Sequence, residues 1–153
     1  AYLSVRDYLD GAEEMGTERT TVGEKLTEAV AQWRRDTGLW AEVRVEGREG
    51  ALPAGTQQQL VQIAREALAN VAKHAAAVRV TVTWQGGGAQ PVVRIKDDGR
   101  GFSGVTHGHG MSIMHERADL IGAQVTVRSQ PGEGTEVVVM CAPVNMEGEG
   151  DAD

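Results

Sequence analysis

The 153-residue chain carries a formal net charge of −7, and 41% of its residues are hydrophobic, which fits one globular domain with a real core. Its acidic balance, with a pI near 5.1, argues against binding nucleic acid or an anionic membrane through broad electrostatic attraction. The single cysteine, Cys141, excludes an internal disulfide and fits a reducing compartment, and no apolar run approaches the roughly 20 residues that span a bilayer.

The N-terminal part of the chain predicts a lead-in, a helix and a strand. Residues 1–20 lack a sustained apolar period, and because the chain does not begin with Met we expect them to lead out of an upstream region of a longer protein. From Thr21, which can cap a helix, apolar residues recur at helical spacing until Gly38. The alternation over residues 40–45 then predicts a strand.

Pro53 opens the predicted central helix, because proline suits a first helical turn, and this helix reaches about Ala76. Its apolar stripe consists of Leu60, Ala64, Ala67 and Val71. A polar stripe beside it repeats every four residues and consists of Glu66, Asn70 and His74. A face of this kind is either an ordinary solvated surface or one wall of a ligand pocket, and the helix alone does not decide between them.

The second half of the chain predicts a β-hairpin, a helix and two further strands. Residues 78–84 alternate with period two, and three glycines join them to a second strand at residues 92–96. A glycine-rich loop up to Gly110 leads into a helix near Ser112 to Ile121. The last two strands, at residues 124–129 and 135–141, are joined by a turn that contains proline and glycine.

This element order predicts one domain of the α/β (α+β) class over residues 21–143. We expect a two-layer sandwich, in which about three helices cover one face of a mixed β-sheet. The remaining residues, 144–153, are small and acidic, so we expect a disordered tail.

The stretch Asp97-Asp98-Gly99-Arg100-Gly101-Phe102 follows a predicted strand. A carboxylate at that position can accept a hydrogen bond from an exocyclic amine, and the glycines let the backbone approach a flat ring. An ordinary Asp-Gly turn explains the same residues. The run Gly99–Gly104 also satisfies the G-x-G-x-x-G pattern of dinucleotide-binding proteins, but the sequence after it is too rich in glycine to open the helix that this pattern requires.

Two other glycine-containing segments could contact a ligand. Residues 108–117 take a loop into a helix whose N-terminal N–H groups can bind phosphate, and the loop could also close as a lid. His107 and His109 suggest metal ligands, but no carboxylate or cysteine near them completes a site. The segment Gly132–Thr135 either presents the Thr135 hydroxyl to a base or simply turns a hairpin.

Together these four stretches resemble the ATP-binding domain of two-component sensor histidine kinases, within the Bergerat-fold superfamily of gyrase B and MutL. The motif Glu66-x-x-x-Asn70-x-x-Lys73-His74 resembles the N box of that family. The glycine boxes are matched by Asp97-x-Gly99-x-Gly101, by Gly108-x-Gly110 and by the final Gly134-Thr135. The run from Gly110-Met111 to Arg117-Ala118 is similar to the nitrate-sensor and desaturase-sensor branch.

The resemblance implies a domain that binds ATP with Mg²⁺ and donates the γ-phosphoryl group to a histidine. Asn70 would bind Mg²⁺ through its amide oxygen, and Glu66 would act catalytically, through water or as a base. Asp97 would accept the adenine amino group, with support from Thr135. The other implied ATP-binding residues are Lys73 and His74 at the phosphates, and Gly99, Gly101, Gly108, Gly110 and Met111 in the glycine boxes.

The phosphoacceptor histidine of this family lies on a separate dimerisation helix, and none of the four histidines here has that setting. The resemblance implies as partners the dimerisation and histidine phosphotransfer domain of the same full-length protein and a response regulator. We expect no nucleic acid, no direct membrane contact by this domain, a cytoplasmic location and little autophosphorylation by this chain alone. The alternative is an anti-sigma-factor-type serine kinase or a nucleotide-dependent switch protein of the same superfamily, against which Met114-x-Glu116-Arg117 argues.

Overall fold

The computed structural model describes residues 20–75, 79–100 and 109–143. The elements within these ranges are α1 (Val22–Thr37), β1 (Trp40–Glu46), α2 (Ala54–Asn70), β2 (Arg79–Gln85), β3 (Val92–Asp97), α3 (His109–Leu120), β4 (Gln124–Ser129) and β5 (Thr135–Met140). No helix among them is both long and apolar enough to cross a membrane. The expected lead-in, apart from Thr20, and the expected acidic tail lie outside the described residues.

The strands form one mixed sheet in the order β1-β2-β3-β5-β4. Strands β1 and β2 are parallel, as expected for strands joined by a helical crossover, and the other three pairs are antiparallel. Helix α2 packs between α1 and α3, and all three helices contact the sheet. The predicted α/β two-layer sandwich with a mixed sheet is confirmed.

One face of the sheet is apolar and faces the helices, because side chains alternate along each strand. Its central rows pair Val82 with Ile95 and Ile95 with Val137 across neighbouring strands, and these three side chains are at most 7% exposed. The same face ends in a polar row at the strand termini, in which Asp97 pairs with Thr135. The core therefore extends to the edge where the candidate ligand-binding side chains lie.

Helix α1 begins and ends as the sequence predicts. The Thr21 side chain accepts the N–H of Glu24, whose carboxylate accepts the N–H of Thr21, and Gly38 closes the helix at φ 76°. A further carboxylate, that of Glu49, accepts the backbone N–H groups of Val22 at 2.7 Å and Gly23 at 3.3 Å. Glu49 thus satisfies donors that a helix N-terminus leaves unpaired, and its negative charge faces the positive end of the helix dipole.

Helix α2 differs from the prediction at both ends. Pro53 is the residue before the helix, not a residue of its first turn, and the α-helix ends at Asn70. Residues 71–75 continue it as a π-helical turn. The α-helical spacing predicted for the polar stripe is present from Glu66 to Asn70, and the place of His74 on that stripe stays a prediction.

The indole of Trp33 packs against this change of helix type. Its Nε1–H donates to the Leu68 carbonyl oxygen at 2.9 Å in a buried setting, and Trp33 is 8% exposed. The N–H of Val71 approaches the carbonyls of both Ala67 and Leu68. A side chain that takes part in the helix ladder is one of the established causes of a local departure from α-geometry.

Helix α3 begins at His109, three residues before the predicted start at Ser112. Gly110 and Met111 therefore lie in its first turn and not in the preceding loop. A glycine is tolerated there because the N–H groups of a first helical turn have no partner within the helix in any case. The helix is followed by Gly122, at φ 68°, which confirms the predicted stop.

Candidate functional site

Among the described residues, Asp97 is the one charged residue that is buried, with an exposed fraction of 3%. It ends β3 on the helix-facing side of the sheet, because it continues the alternation of Val93 and Ile95. A buried carboxylate requires donors, and its Oδ1 accepts the N–H of Gly99 at 2.7 Å. The backbone of Thr135 supplies a second hydrogen bond. Such a group is an acceptor held in place at the end of a strand.

Two opposing effects set the protonation of Asp97. Burial, the larger effect, raises the pKa of this carboxyl above its ordinary value, and the hydrogen bonds from Gly99 and Thr135 lower it. The neighbouring Asp98 adds a smaller rise. The balance is a raised pKa, which means that the ionised form carries a desolvation cost that a ligand donor can relieve.

A hydroxyl pair lies beside Asp97. Thr135, its register partner on β5, has its Oγ1 at 2.8 Å from the Oγ of Ser129. Ser129 is in turn the register partner of Thr135 on β4, and its hydroxyl donates to the Gly134 carbonyl at 3.1 Å. Three adjacent strands therefore end in a carboxylate and two hydroxyls on one face of the sheet.

Gly134 makes this arrangement sterically possible. Its φ is 80°, in the left-handed region that favours glycine. A Cβ built at this position would lie 2.1 Å from the Asp97 carbonyl oxygen. Any other residue would therefore push the start of β5 away from the end of β3.

The residues predicted to contact the phosphates of a nucleotide lie on α2, in the helical layer that covers the sheet. Glu66 and Asn70 are one helical turn apart and partly exposed, beside the buried residues Ala67 and Val71. Lys73 follows in the π-helical turn and is exposed. The apolar stripe that anchors this helix, with Leu60, Ala64, Ala67 and Val71 all buried, is confirmed, so the polar residues lie on the remaining surface of a fixed helix.

Several predicted site residues fall outside what the structure describes. Gly101 and Gly108 lie in the gap between residues 100 and 109, as do the predicted lid and His107. His74 and Gly110 have described backbone only, in the π-helical turn and in α3. Met111 is partly buried against the core. The predicted roles of these residues stay predictions.

Ser129 is a site residue that the sequence reasoning missed. Its position could have been found, because the alternation of Val125 and Val127 along the predicted β4 places residue 129 on the same face. What the sequence could not give is the pairing of β4 with β5, which brings this hydroxyl to Thr135.

Other parts of the described structure lack comparable chemistry. No group of three or more His, Cys, Asp or Glu side chains within the described ranges could hold a metal ion. A groove of about 440 Å³ lies at the end of α1 and is lined by Ala31, Arg34, Arg35, Gly38, Leu39 and Trp40. It contains none of the predicted site residues, and the Arg34 guanidinium already stacks over the Trp40 ring at 4.3 Å.

Comparisons with known proteins connect this geometry to a family. The family model described as histidine kinase-, DNA gyrase B-, and HSP90-like ATPase matches residues 55–145. The sensor protein VraS of Staphylococcus saprophyticus is 29% identical over 148 residues, which are 95% of this chain and 42% of that protein. VraS of Staphylococcus aureus strain COL is similar to the same extent. The chain thus spans less than half the length of these relatives.

Solved structures share the fold. The histidine kinase domain of the Erythrobacter litoralis EL346 blue-light activated histidine kinase superposes with a TM-score of 0.71 at 21% identity, over 86% of this chain and 65% of that one. The Acinetobacter baumannii histidine kinase AdeS gives a TM-score of 0.63 at 14% identity, over 81% of this chain and 64% of that one. At these identities the likeness establishes the fold.

Proposed function

Because the chain belongs to the family of histidine kinase-, DNA gyrase B- and HSP90-like ATPases, we propose that residues 21–143 are the ATP-binding catalytic domain of a sensor histidine kinase. The observation that carries this proposal is the buried Asp97 carboxylate at the end of β3, fixed by the N–H of Gly99. A buried acceptor next to a glycine-rich segment suits the amino edge of adenine, which carries a hydrogen-bond donor. ATP is the expected nucleotide.

The phosphate end of the nucleotide is assigned to α2 and to the residues that follow Asp97. Asn70 is the proposed ligand of Mg²⁺, with Glu66 one turn away as the group that acts on the transferred phosphoryl through water or as a base. Lys73 and His74 are the proposed phosphate contacts, together with Gly108 and with Gly110 and Met111 of the first turn of α3. Gly99 and Gly101 give the backbone room beside the base.

The side chains of α2 suit Mg²⁺ bound through a nucleotide. This ion takes oxygen ligands, keeps several waters and is usually bound by one or two protein groups together with phosphates. Asn70 and Glu66 offer such oxygens on a partly exposed helix surface. When bound, Mg²⁺ neutralises charge on the phosphates, and the chain itself contributes positioning and an amide ligand.

The reaction is proposed to be transfer of the γ-phosphoryl group to a histidine on a dimerisation domain of the same full-length protein. A response regulator would receive the group from that histidine. These partners fit relatives that are sensor proteins, and the branch suggested by residues 110–118 remains a proposal of the same kind. We propose a cytoplasmic domain, with no nucleic acid and no direct membrane contact. The anti-sigma-factor-type kinase is not favoured, because the relatives named above are sensor proteins and histidine kinases.

Calorimetric titration of the chain with ATP, with and without Mg²⁺, tests the metal and phosphate assignment. Wild type should bind ATP more tightly with Mg²⁺, and Asn70→Ala should lose most of that dependence without a change in melting temperature. Gln58→Ala, an exposed position of the same helix, is the matched control and should behave as wild type. An Asn70→Ala variant with the Mg²⁺ dependence of wild type would contradict Asn70 as the ligand.

A further inference from the structure

Strand β1 forms one edge of the sheet and bears exposed apolar side chains. In the part of the chain that the structure describes, β1 pairs with β2 alone. Along its other side, a row of backbone N–H and C=O groups therefore faces away from the sheet. Two of the three exposed large hydrophobic residues within the described ranges lie on this strand, Trp40 at 48% and Val45 at 54%. An edge of this kind suits pairing with another extended segment.

The charges at this edge are balanced, although the chain as a whole carries a net charge of −7. Glu42 and Glu46 contribute two carboxylates to β1, and Arg44 contributes one guanidinium. A second guanidinium, that of Arg34, stacks over the Trp40 ring at 4.3 Å. Two copies of an acidic chain repel each other over most of their surfaces, but this edge does not add to that repulsion.

Two identical antiparallel strands can pair in few registers. In an antiparallel pair, opposite residues either both direct their N–H and C=O groups toward the other strand or both direct them away. These directions alternate along a strand, so even-numbered residues of a strand must lie opposite even-numbered residues of its copy. Strand β1 has seven residues, Trp40–Glu46. The register that uses its whole length is centred on Val43 and satisfies this condition.

The register centred on Val43 opposes unlike charges and aligns apolar side chains. Glu42 lies opposite Arg44 of the second copy, and by symmetry Arg44 lies opposite the second copy's Glu42. On the helix-facing side, Val43 lies opposite its own copy, and Ala41 lies opposite the exposed Val45. A shift of the centre by one residue places Glu42 opposite Glu42 or Arg44 opposite Arg44, and like charges directly opposite destabilise a sheet. Registers shifted further pair three residues or fewer.

The existing ion pair within β1 strengthens this argument. Arg44 Nη2 lies 2.9 Å from Glu42 Oε2, and the two side chains are 63% and 39% exposed. An isolated exposed pair of this kind contributes little. Pairing with a second copy would bring two such pairs together, and a network of four charges is worth more than separate pairs.

We propose that β1 is a docking edge for a second copy of this chain, with the two β1 strands antiparallel and in the register centred on Val43. The contact is isologous, so it closes after two copies, and the sheet continues across it. One strand pair is a small interface, so the association is weak and depends on protein concentration. The proposal does not depend on the nucleotide or on the proposed function.

Cysteine cross-linking tests the register. In Val43→Cys the two thiols face each other where opposite Cα atoms lie about 4.5–5.5 Å apart, within the range of a disulfide. Val45→Cys is the matched control. It is more exposed than position 43, but its two copies lie four residues, about 13 Å, apart along the strands. Wild type, whose Cys141 is buried, is the blank.

Under mild oxidation, Val43→Cys should form a disulfide-linked dimer at least about tenfold faster than Val45→Cys, because only the first variant holds its thiols within reach. Equal rates, or a faster reaction of the more exposed Val45→Cys, would reflect random collisions and would overturn the register.

Charge reversal tests the pairs across the contact. Sedimentation equilibrium of the chain over a range of concentrations gives the dissociation constant of the dimer. Arg44→Glu places like charges opposite each other at two positions and should weaken dimerisation about tenfold. Adding Glu42→Arg exchanges the two charges and should restore the wild-type constant. Arg128→Glu makes the same charge change at an exposed position of β4, at the other edge of the sheet, and should leave the constant unchanged.

Two results of these measurements would overturn the proposal. The first is a wild-type chain that stays monomeric at its highest soluble concentration, without an excess of the Val43→Cys cross-link, which would leave this edge to another segment or another protein. The second is a dimer that Arg44→Glu does not weaken, because another surface would then hold the two copies together. If a charge reversal prevents folding, the cross-linking comparison decides alone.

Discussion

Asp97 and Thr135 face each other across β3 and β5 as register partners, on the side of the sheet that the helices cover. The backbone of Thr135 supplies one of the hydrogen bonds to the Asp97 carboxylate. Strand pairing therefore does two things at this point. It completes the sheet, and it fixes a buried acceptor where the glycine-rich segment begins.

Replacing Asp97 with asparagine should make unfolding less sensitive to pH. Burial, the largest effect on this group, raises the pKa of Asp97 above its ordinary value of 3.8, so the folded chain binds the proton more tightly than the unfolded chain does. Stability is then lost as the pH rises from about 4 through the folded pKa. The amide of the variant has no proton to lose. The free energy of unfolding of Asp97→Asn should therefore rise relative to that of wild type as the pH increases through this range.

Denaturant unfolding of both chains at several pH values between about 4 and 7 measures this difference. We expect the free energy of unfolding of Asp97→Asn, minus that of wild type, to increase with pH and then to level off. A difference that is constant, or that shrinks as the pH rises, would contradict a raised pKa at Asp97. Asp119→Asn, which removes an exposed carboxylate of α3, controls for the loss of one negative charge.

Gly134→Ala should be far more damaging than Gly132→Ala, although both glycines have a φ near 80°. Both substitutions place a side chain on a left-handed backbone, which costs about 1–2 kcal/mol. At position 134 the added Cβ would also lie 2.1 Å from the Asp97 carbonyl oxygen, whereas position 132 has nothing within 4 Å. We expect a loss of more than about 3 kcal/mol in the free energy of unfolding for Gly134→Ala; equal losses in the two variants would show that the contact with Asp97 does not matter.

Trp33→Phe should destabilise the chain and weaken ATP binding. The phenyl ring keeps most of the packing but removes the N–H that donates to the Leu68 carbonyl next to the π-helical turn. Loss of one buried donor costs about 1–3 kcal/mol, and the turn carries Lys73, a proposed phosphate contact. Trp40→Phe is the control. Because Trp40 is 48% exposed, this substitution should lower the free energy of unfolding by less than about 1 kcal/mol. A Trp33 variant as stable as the control would refute this role of the indole.

Glu49→Gln should lower stability without changing nucleotide affinity. The glutamine amide keeps one acceptor but loses the charge that faces the N–H groups of Val22 and Gly23 and the indole N–H of Trp84. We expect a cost of about 1–2 kcal/mol in thermal or denaturant unfolding. Glu28→Gln removes an exposed carboxylate whose partner Arg35 is 3.9 Å away, and it should change stability by less than about 0.5 kcal/mol. A weaker ATP affinity in Glu49→Gln would link this end of α1 to the site.

The local signals in the sequence predict most of the fold. Thr21 and Gly38 bound α1 as expected, and the period-two alternation places every described strand to within about two residues. These features are predictable because each depends on a few neighbouring residues: a capping hydroxyl, a residue able to adopt positive φ, or an alternating face.

What the sequence could not predict depends on contacts between distant segments. The π-helical turn after Asn70 forms where the indole of Trp33 from α1 contacts α2, and no pattern within the sequence of α2 predicts it. Ser129 lies beside Thr135 only because β4 pairs with β5. Glu49 caps α1 through Val22 and Gly23, which lie 27 and 26 positions earlier in the chain. The burial of Asp97 likewise follows from its register in the assembled sheet.

Calorimetric titration of wild type and Asp97→Asn with ATP and with GTP, in the presence of Mg²⁺, tests the central claim most directly. Wild type should bind ATP and prefer it to GTP, and Asp97→Asn should lose at least about tenfold in ATP affinity while still unfolding cooperatively, because a buried acceptor for the adenine amino group is worth about that much. No heat from wild type at millimolar ATP, or an Asp97→Asn variant with the ATP affinity and base preference of wild type, would contradict the account.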